Sequence, residues 1–152
     1  MNIKYYYFID EFNKNEIEKL STQISLIYRN YHKKNNPNEL RKLVIHCKMN
    51  RRKVYISNNL KDAIKYNFDG LYIPSFHKQL RFQNIAKKNL EIIGSAHNAI
   101  ELKIKEKQGC SKIFLSPIFE NNKLPIYNLQ KQGCQTLIVL PLYPQYAAAT
   151  TA

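Results

Sequence analysis

Short runs of β-prone apolar residues alternate with amphipathic stretches along most of the chain. Tyr5–Ile9 (YYYFI) is the first strand-like run, and a helical pattern follows over 15–23. Ser25–Arg29 is a second strand candidate. Asn38 is then a reasonable N-cap for a helix over Glu39–Lys48, with Leu40, Leu43, Val44 and Cys47 on one face at helical spacing. Lys53–Ser57 is a third strand and Leu60–Tyr66 a short helix. Asp69-Gly70 turns the chain into a fourth strand, Leu71–Pro74. The pattern continues with a helix over 82–88, a strand over Glu91–Gly94, a helix over Asn98–Gln108 stopped at Gly109, and a strand over Lys112–Ser116. Each strand start lies far enough from the last for a helical crossover, which antiparallel hairpins do not need. Hydrophobic strands in strict βα alternation predict a parallel sheet covered by helices. Neither GxGxxG nor GxxxxGK[ST] occurs, so a dinucleotide or P-loop site has no support and the pattern favours a barrel over a doubly wound sheet.

Composition changes this picture at one place. All 11 acidic residues and all 17 asparagines fall within 1–128, whereas 129–152 holds one charged residue, Lys131. Lys107-Gln108-Gly109-Cys110 is echoed by Lys131-Gln132-Gly133-Cys134. Two successive αβ units would produce that echo, but the shift in composition favours a junction near residue 128. The expected organisation is a main unit over 1–128 and a distinct segment over 129–152. That segment supplies at most a seventh strand, over 136–140.

At 152 residues the chain fits one domain with a real core. No run is long enough to span a bilayer, the N-terminus lacks a signal-peptide core, and the expectation is a soluble cytoplasmic protein. The three cysteines are dispersed and indicate neither a disulfide framework nor a metal site. A formal charge of +13 raises the question of nucleic acid. Abundant Lys, Asn and Ile are also what AT-rich coding produces, so charge alone does not make nucleic acid the expected partner. The densest basic run, Lys48–Lys53, is expected to be a solvated helix end.

Function in parallel α/β folds concentrates where strands end. Those ends carry Asp10-Glu11, Arg29-Asn30-Tyr31, Ser57-Asn58-Asn59, Pro74-Ser75, Ser95-Ala96-His97 and Ser116 through Asn121. One arginine among hydroxyls and amides suits a phosphate, because a guanidinium fork bonds two oxygens at once. His97 offers a proton carrier or an oxyanion donor, with a helix cap or a satisfied core histidine as the alternative.

The segments YYYFID, YISNNLKDAIKYNFDGLYIP, IIGSAHNAIEL and GCSKIFLSPIF, with the strand that ends in Arg29, resemble the thiamin phosphate synthase/TenI superfamily over about 3–123. The resemblance implies a (β/α) TIM-type barrel, here partial: six to seven parallel strands with helices outside, stopping before the last strands. It implies a thiamin-biosynthesis protein that binds thiazole phosphate, and either couples it to hydroxymethylpyrimidine pyrophosphate or isomerises the thiazole. Carried over by motif, Ser95 and His97 are the catalytic candidates. Arg29, Asn58, Asn59, Ser95, Ser116, Asn121 and Lys123 are the substrate-binding candidates. The family's Mg2+ carboxylates after the third and fourth strands are replaced by Ser57-Asn58 and by Pro74-Ser75-Phe76-His77. No metal is therefore expected, and isomerisation fits the remaining residues better than metal-assisted coupling. Residues 129–152 resemble instead a ferrochelatase segment, on the run Leu140-Pro141-Leu142-Tyr143-Pro144-Gln145-Tyr146. The expected partners are small phosphates rather than membrane or nucleic acid, with a homodimer across an open sheet edge as a further expectation. The two alternatives are a basic polyanion-binding module and a porphyrin-binding ferrochelatase fragment.

Overall fold

The computed structural model describes residues 4–80, 89–115 and 137–139. The expected helix over 82–88 and nearly all of 129–152 lie outside these residues. Two compact units are distinguished: 1–72 with 85–91, and 73–84 with 92–152.

The first unit holds four parallel strands in chain order: β1 (Tyr5–Ile9), β2 (Ile24–Tyr28), β3 (Val54–Ser57) and β4 (Gly70–Ile73, its last residue counted with the second unit). Strictly sequential order is the winding of a (β/α) barrel, whereas a doubly wound sheet reverses direction at its first strand. Register places Tyr6, Phe8, Ile27, Tyr55, Ser57 and Tyr72 on one sheet face. Ring contacts tie that face together, Phe8 to Tyr72 at 5.3 Å and Tyr6 to Tyr55 at 5.9 Å. The opposite face carries Leu26, Tyr28, Val54, Ile56 and Leu71, all buried. The connecting helices are α1 (Lys14–Lys19), α2 (Pro37–Met49) and α3 (Leu60–Lys65).

Sequence and structure disagree at three points in this unit. Helix α2 begins earlier than expected, with Asn36 rather than Asn38 as its N-cap. Pro37 explains this, since proline's fixed φ suits the first helical position and its missing N–H costs nothing there. Helix α1 stops at Lys19 rather than near residue 23, with Leu20 already extended. The basic run is not a solvated helix end throughout: Arg52 is 4% exposed. Its guanidinium donates to the carbonyl oxygens of Ile17, Leu20 and Ile24 at 3.3, 2.9 and 2.9 Å. A cation is therefore placed at the C-terminal end of α1, where it supplements the Leu20 N–H on the Ile17 carbonyl and serves the Leu20 carbonyl.

The second unit contains β5 (Glu91–Ala96, counted from Ile92), α4 (Ala99–Lys107), β6 (Lys112–Leu115) and β7 (Leu137–Val139). The three strands are parallel and again adjacent in chain order, and β7 falls inside the expected 136–140. Asn98 caps α4 by accepting from the Glu101 N–H, and Gly109 follows the helix at φ +79, where a side chain would be strained. Cys47 and Cys110 are free thiols, each pushed up to about 12 by burial and so held protonated at neutral pH. Among the described residues no helix is long and apolar enough to cross a membrane.

Candidate functional site

The parallel strands of the first unit end on one side, and Arg29 stands just beyond β2. Its own N–H donates to the Ile9 carbonyl at 2.7 Å, extending the β1–β2 ladder by one residue. This fixes the backbone, while the side chain lies over Phe8 with the guanidinium carbon 4.4 Å from the ring centre. Tyr31 flanks it at 5.7 Å. Among the described residues Arg29 forms no ion pair. A guanidinium held by ring faces is oriented without being neutralised, and its N–H edge keeps its affinity for an anion.

The loop around Arg29 is shaped by short polar contacts. Asn30 donates to the Asp10 carbonyl at 3.0 Å, and its side-chain oxygen accepts from the N–H groups of His32 and Lys33. The Tyr31 hydroxyl lies 3.3 Å from the Ser57 hydroxyl, so the β2 and β3 exits are joined. Asn58 then takes φ +53, a left-handed conformation that asparagine tolerates better than most residues, and donates its N–H to the Tyr72 carbonyl at 2.8 Å. Asn59 caps α3: its oxygen accepts from the Asp62 N–H and its amide donates to the Asp62 carboxylate. Asn35 bonds the same carboxylate at 3.0 Å, tying the β2 exit loop to α3. Arg29 and Asn58 are thus brought to linked strand exits, and Asn59 is committed to a cap.

In the second unit Ser95 sits near the end of β5 and is half-buried. His97 follows the strand and is exposed; its backbone N–H donates to the Glu101 carboxylate at 2.8 Å, just before the N-cap of α4. The backbone of His97 therefore takes part in helix initiation while its imidazole stands at the strand exit. Ser116, Asn121 and Lys123 lie outside the described residues.

Several residues that frame these candidates were missed from the sequence. Phe8 and Tyr31 flank the Arg29 guanidinium and Tyr72 packs edge-on against Phe8; Tyr31 was named at a strand end, Phe8 and Tyr72 were not. Lys105 and Gln108 were also missed. Lys105 is fully buried, and its ammonium donates to the carbonyls of Pro74 and His77 at 2.6 and 2.7 Å and to Gln108 at 3.0 Å. Gln108 donates to the carbonyls of His77 and Gln79. Together they clip the loop after β4 to α4, at the cost of a burial that lowers the Lys105 ammonium to about 8.

The residues at the β3 exit, Ser57 and Asn58, are neutral donors. Among the described residues no three His, Cys, Asp or Glu side chains are gathered to hold a metal ion.

Comparison with known proteins finds no matching family model and no matching curated protein. Among solved structures, thiamine phosphate pyrophosphorylase from Pyrococcus furiosus superposes with a TM-score of 0.54 at 15% identity. The match covers 79% of this chain and 62% of that one, so the chain spans about three fifths of the length of that protein. At this identity the likeness establishes the fold: a partial (β/α) barrel of the TIM type.

Proposed function

We propose that this chain binds a phosphate-bearing intermediate of thiamine biosynthesis, thiazole phosphate foremost, with Arg29 holding the phosphate. The observation that carries the reading is the guanidinium at the β2 exit, oriented on Phe8 and in no ion pair among the described residues. It stands at the strand ends where barrels of this kind place their chemistry. Asn58 adds a neutral amide. His97 and Ser95 are proposed as proton carrier and hydroxyl donor, roles assigned by the motif resemblance. An imidazole can take a proton from one ring position and return it to another near neutral pH, which is what an isomerisation of the thiazole requires.

Calorimetric titration of the full chain with thiazole phosphate tests the reading. Arg29→Ala should weaken binding by about 1.5–3 kcal/mol, the worth of a charge-assisted hydrogen bond, or roughly 10- to 150-fold. Equal affinity in the two proteins would remove Arg29 from the site. Affinity that falls steeply with salt for any polyanion, with indifference to the thiazole, would favour the polyanion-binding alternative.

A further inference from the structure

Strand β1 differs from its neighbours on one face. Tyr6 and Phe8 point to the packed aromatic face, which leaves Tyr5, Tyr7 and Ile9 on the other. On β2, β3 and β4 of this unit that second face is sealed, with Leu26, Tyr28, Val54, Ile56 and Leu71 all buried. On β1, Tyr5 is 55% and Tyr7 49% exposed. Beside them a groove of about 230 Å³ opens between β1 and α1, floored by Tyr7, Ile9, Ile17 and Leu20. An aromatic strand face continued by an apolar groove is a surface built to be covered.

The charges around the groove indicate what covers it. Helix α1 joins two parallel strands, so it runs back along β1. Exposed Glu11 and Glu16 lie at the strand-exit end, and exposed Lys4 and Lys19 lie at the strand-entry end. The remaining charged pair of the helix, Lys14 and Glu18, is joined at 3.6 Å and leaves this polarity unchanged. A surface that is acidic at one end, basic at the other and aromatic between is complementary to itself when turned end for end. We propose that the β1–α1 face binds a second copy of the same chain across a two-fold axis, with β1 and α1 antiparallel to their counterparts. Glu11 and Glu16 of each copy then meet Lys4 and Lys19 of the other, and the four tyrosines Tyr5 and Tyr7 of the two copies close the centre. Isologous pairing of this sort is the commonest way soluble chains assemble. The inference is independent of the ligand proposed above.

Sedimentation of the full chain at physiological ionic strength, from about 1 to 100 µM, provides the test. The wild type should pass from monomer to dimer as concentration rises, and Tyr7→Glu should weaken that step at least ~10-fold. The variant with Glu11→Lys and Glu16→Lys makes both ends basic, and the variant with Lys4→Glu and Lys19→Glu makes both acidic. Each should be monomeric where the wild type is dimeric, and an equimolar mixture of the two should restore a one-to-one heterodimer. All these positions are exposed, and circular dichroism verifies that each variant is folded; Tyr7→Ser, which adds no charge, repeats the test should a charged variant unfold. A wild type that stays monomeric throughout would overturn the proposal and give the face to another occupant. Charge variants that dimerise unchanged, or whose mixture stays monomeric, would overturn it equally.

Discussion

Gly70→Ala should lower the stability of this chain by about 3 kcal/mol, which for a chain of this length corresponds to roughly 10 °C in Tm. Gly70 opens β4 and is paired in register with Tyr55. A methyl group there would fall on the carbonyl oxygen of Glu91 and within 2.7–2.8 Å of the Tyr55 ring. Neither neighbour can withdraw. The carbonyl belongs to the backbone, and the ring is fully buried with its hydroxyl bonded to the Glu91 carboxylate at 2.5 Å. The strand itself must move, which disturbs the β3–β4 ladder. Gly109→Ala is the control. Its surroundings are open and only its φ of +79 opposes a side chain, so a cost of about 1 kcal/mol is expected. Denaturant midpoints for the two variants check the contrast; similar losses would show that close approach at Gly70 is not what the fold needs.

Arg52→Met should be comparably severe, at about 3 kcal/mol, although it keeps an apolar stem of similar length. The guanidinium serves three backbone carbonyls from two elements, Ile17 and Leu20 at the end of α1 and Ile24 at the start of β2. Methionine would leave those oxygens without their charged donor, and each loss from a buried site costs about 1–3 kcal/mol. Removing the charge also removes its own cost of burial, which holds the net effect near the lower part of the sum. Arg52→Lys should recover only part of the loss, because one ammonium cannot match a planar fork aimed at carbonyls on two elements. Urea unfolding of the three proteins gives the ordering wild type, Lys, Met. A methionine variant as stable as wild type would reduce Arg52 to a surface charge.

The strands were legible in the chain because their evidence is local. Apolar runs of four to six residues, bounded by polar turns and spaced for crossovers, located the seven strands of the described residues to within two residues at each end. The same local signal fixed the buried face of α2, where Leu40, Leu43, Val44 and Cys47 are all buried. What escaped was set by contacts distant in sequence. Helix α1 ends early beside a guanidinium 32 residues away from Leu20, and nothing in the 15–23 pattern announces that partner. A run of Lys and Arg gives no sign of which member will be buried, so Arg52 was grouped with solvated neighbours.

The placement of the polar candidates was legible in the chain, and that of the aromatic residues around Arg29 was not. Arg29 and His97 stand just beyond apolar strands and Ser95 near the end of one, where a parallel fold exposes its polar residues. Phe8 and Tyr72 lie inside ordinary strand sequences, and only the register of β1 to β4 shows that they share a face, where their rings meet. Asn59 shows the converse: as a polar residue at a strand exit it suggested binding, while its amide and carbonyl both serve Asp62 and the start of α3. The buried clip of Lys105 and Gln108 lies at the end of α4, where nothing in the sequence marks Lys105 rather than Lys103 or Lys107 for burial.

Thermal unfolding of the full chain, with and without thiazole phosphate, tests the central claim most directly. The unphosphorylated thiazole alcohol serves as the comparison ligand. One cooperative transition is expected, its midpoint rising with the concentration of the phosphate ester by an amount equivalent to roughly 2.7 kcal/mol at a hundredfold excess over Kd, and far less with the alcohol. In Arg29→Ala the two ligands should become alike. A cooperative transition that ignores the phosphate ester at every concentration would mean that the strand exits around Arg29 hold no such phosphate.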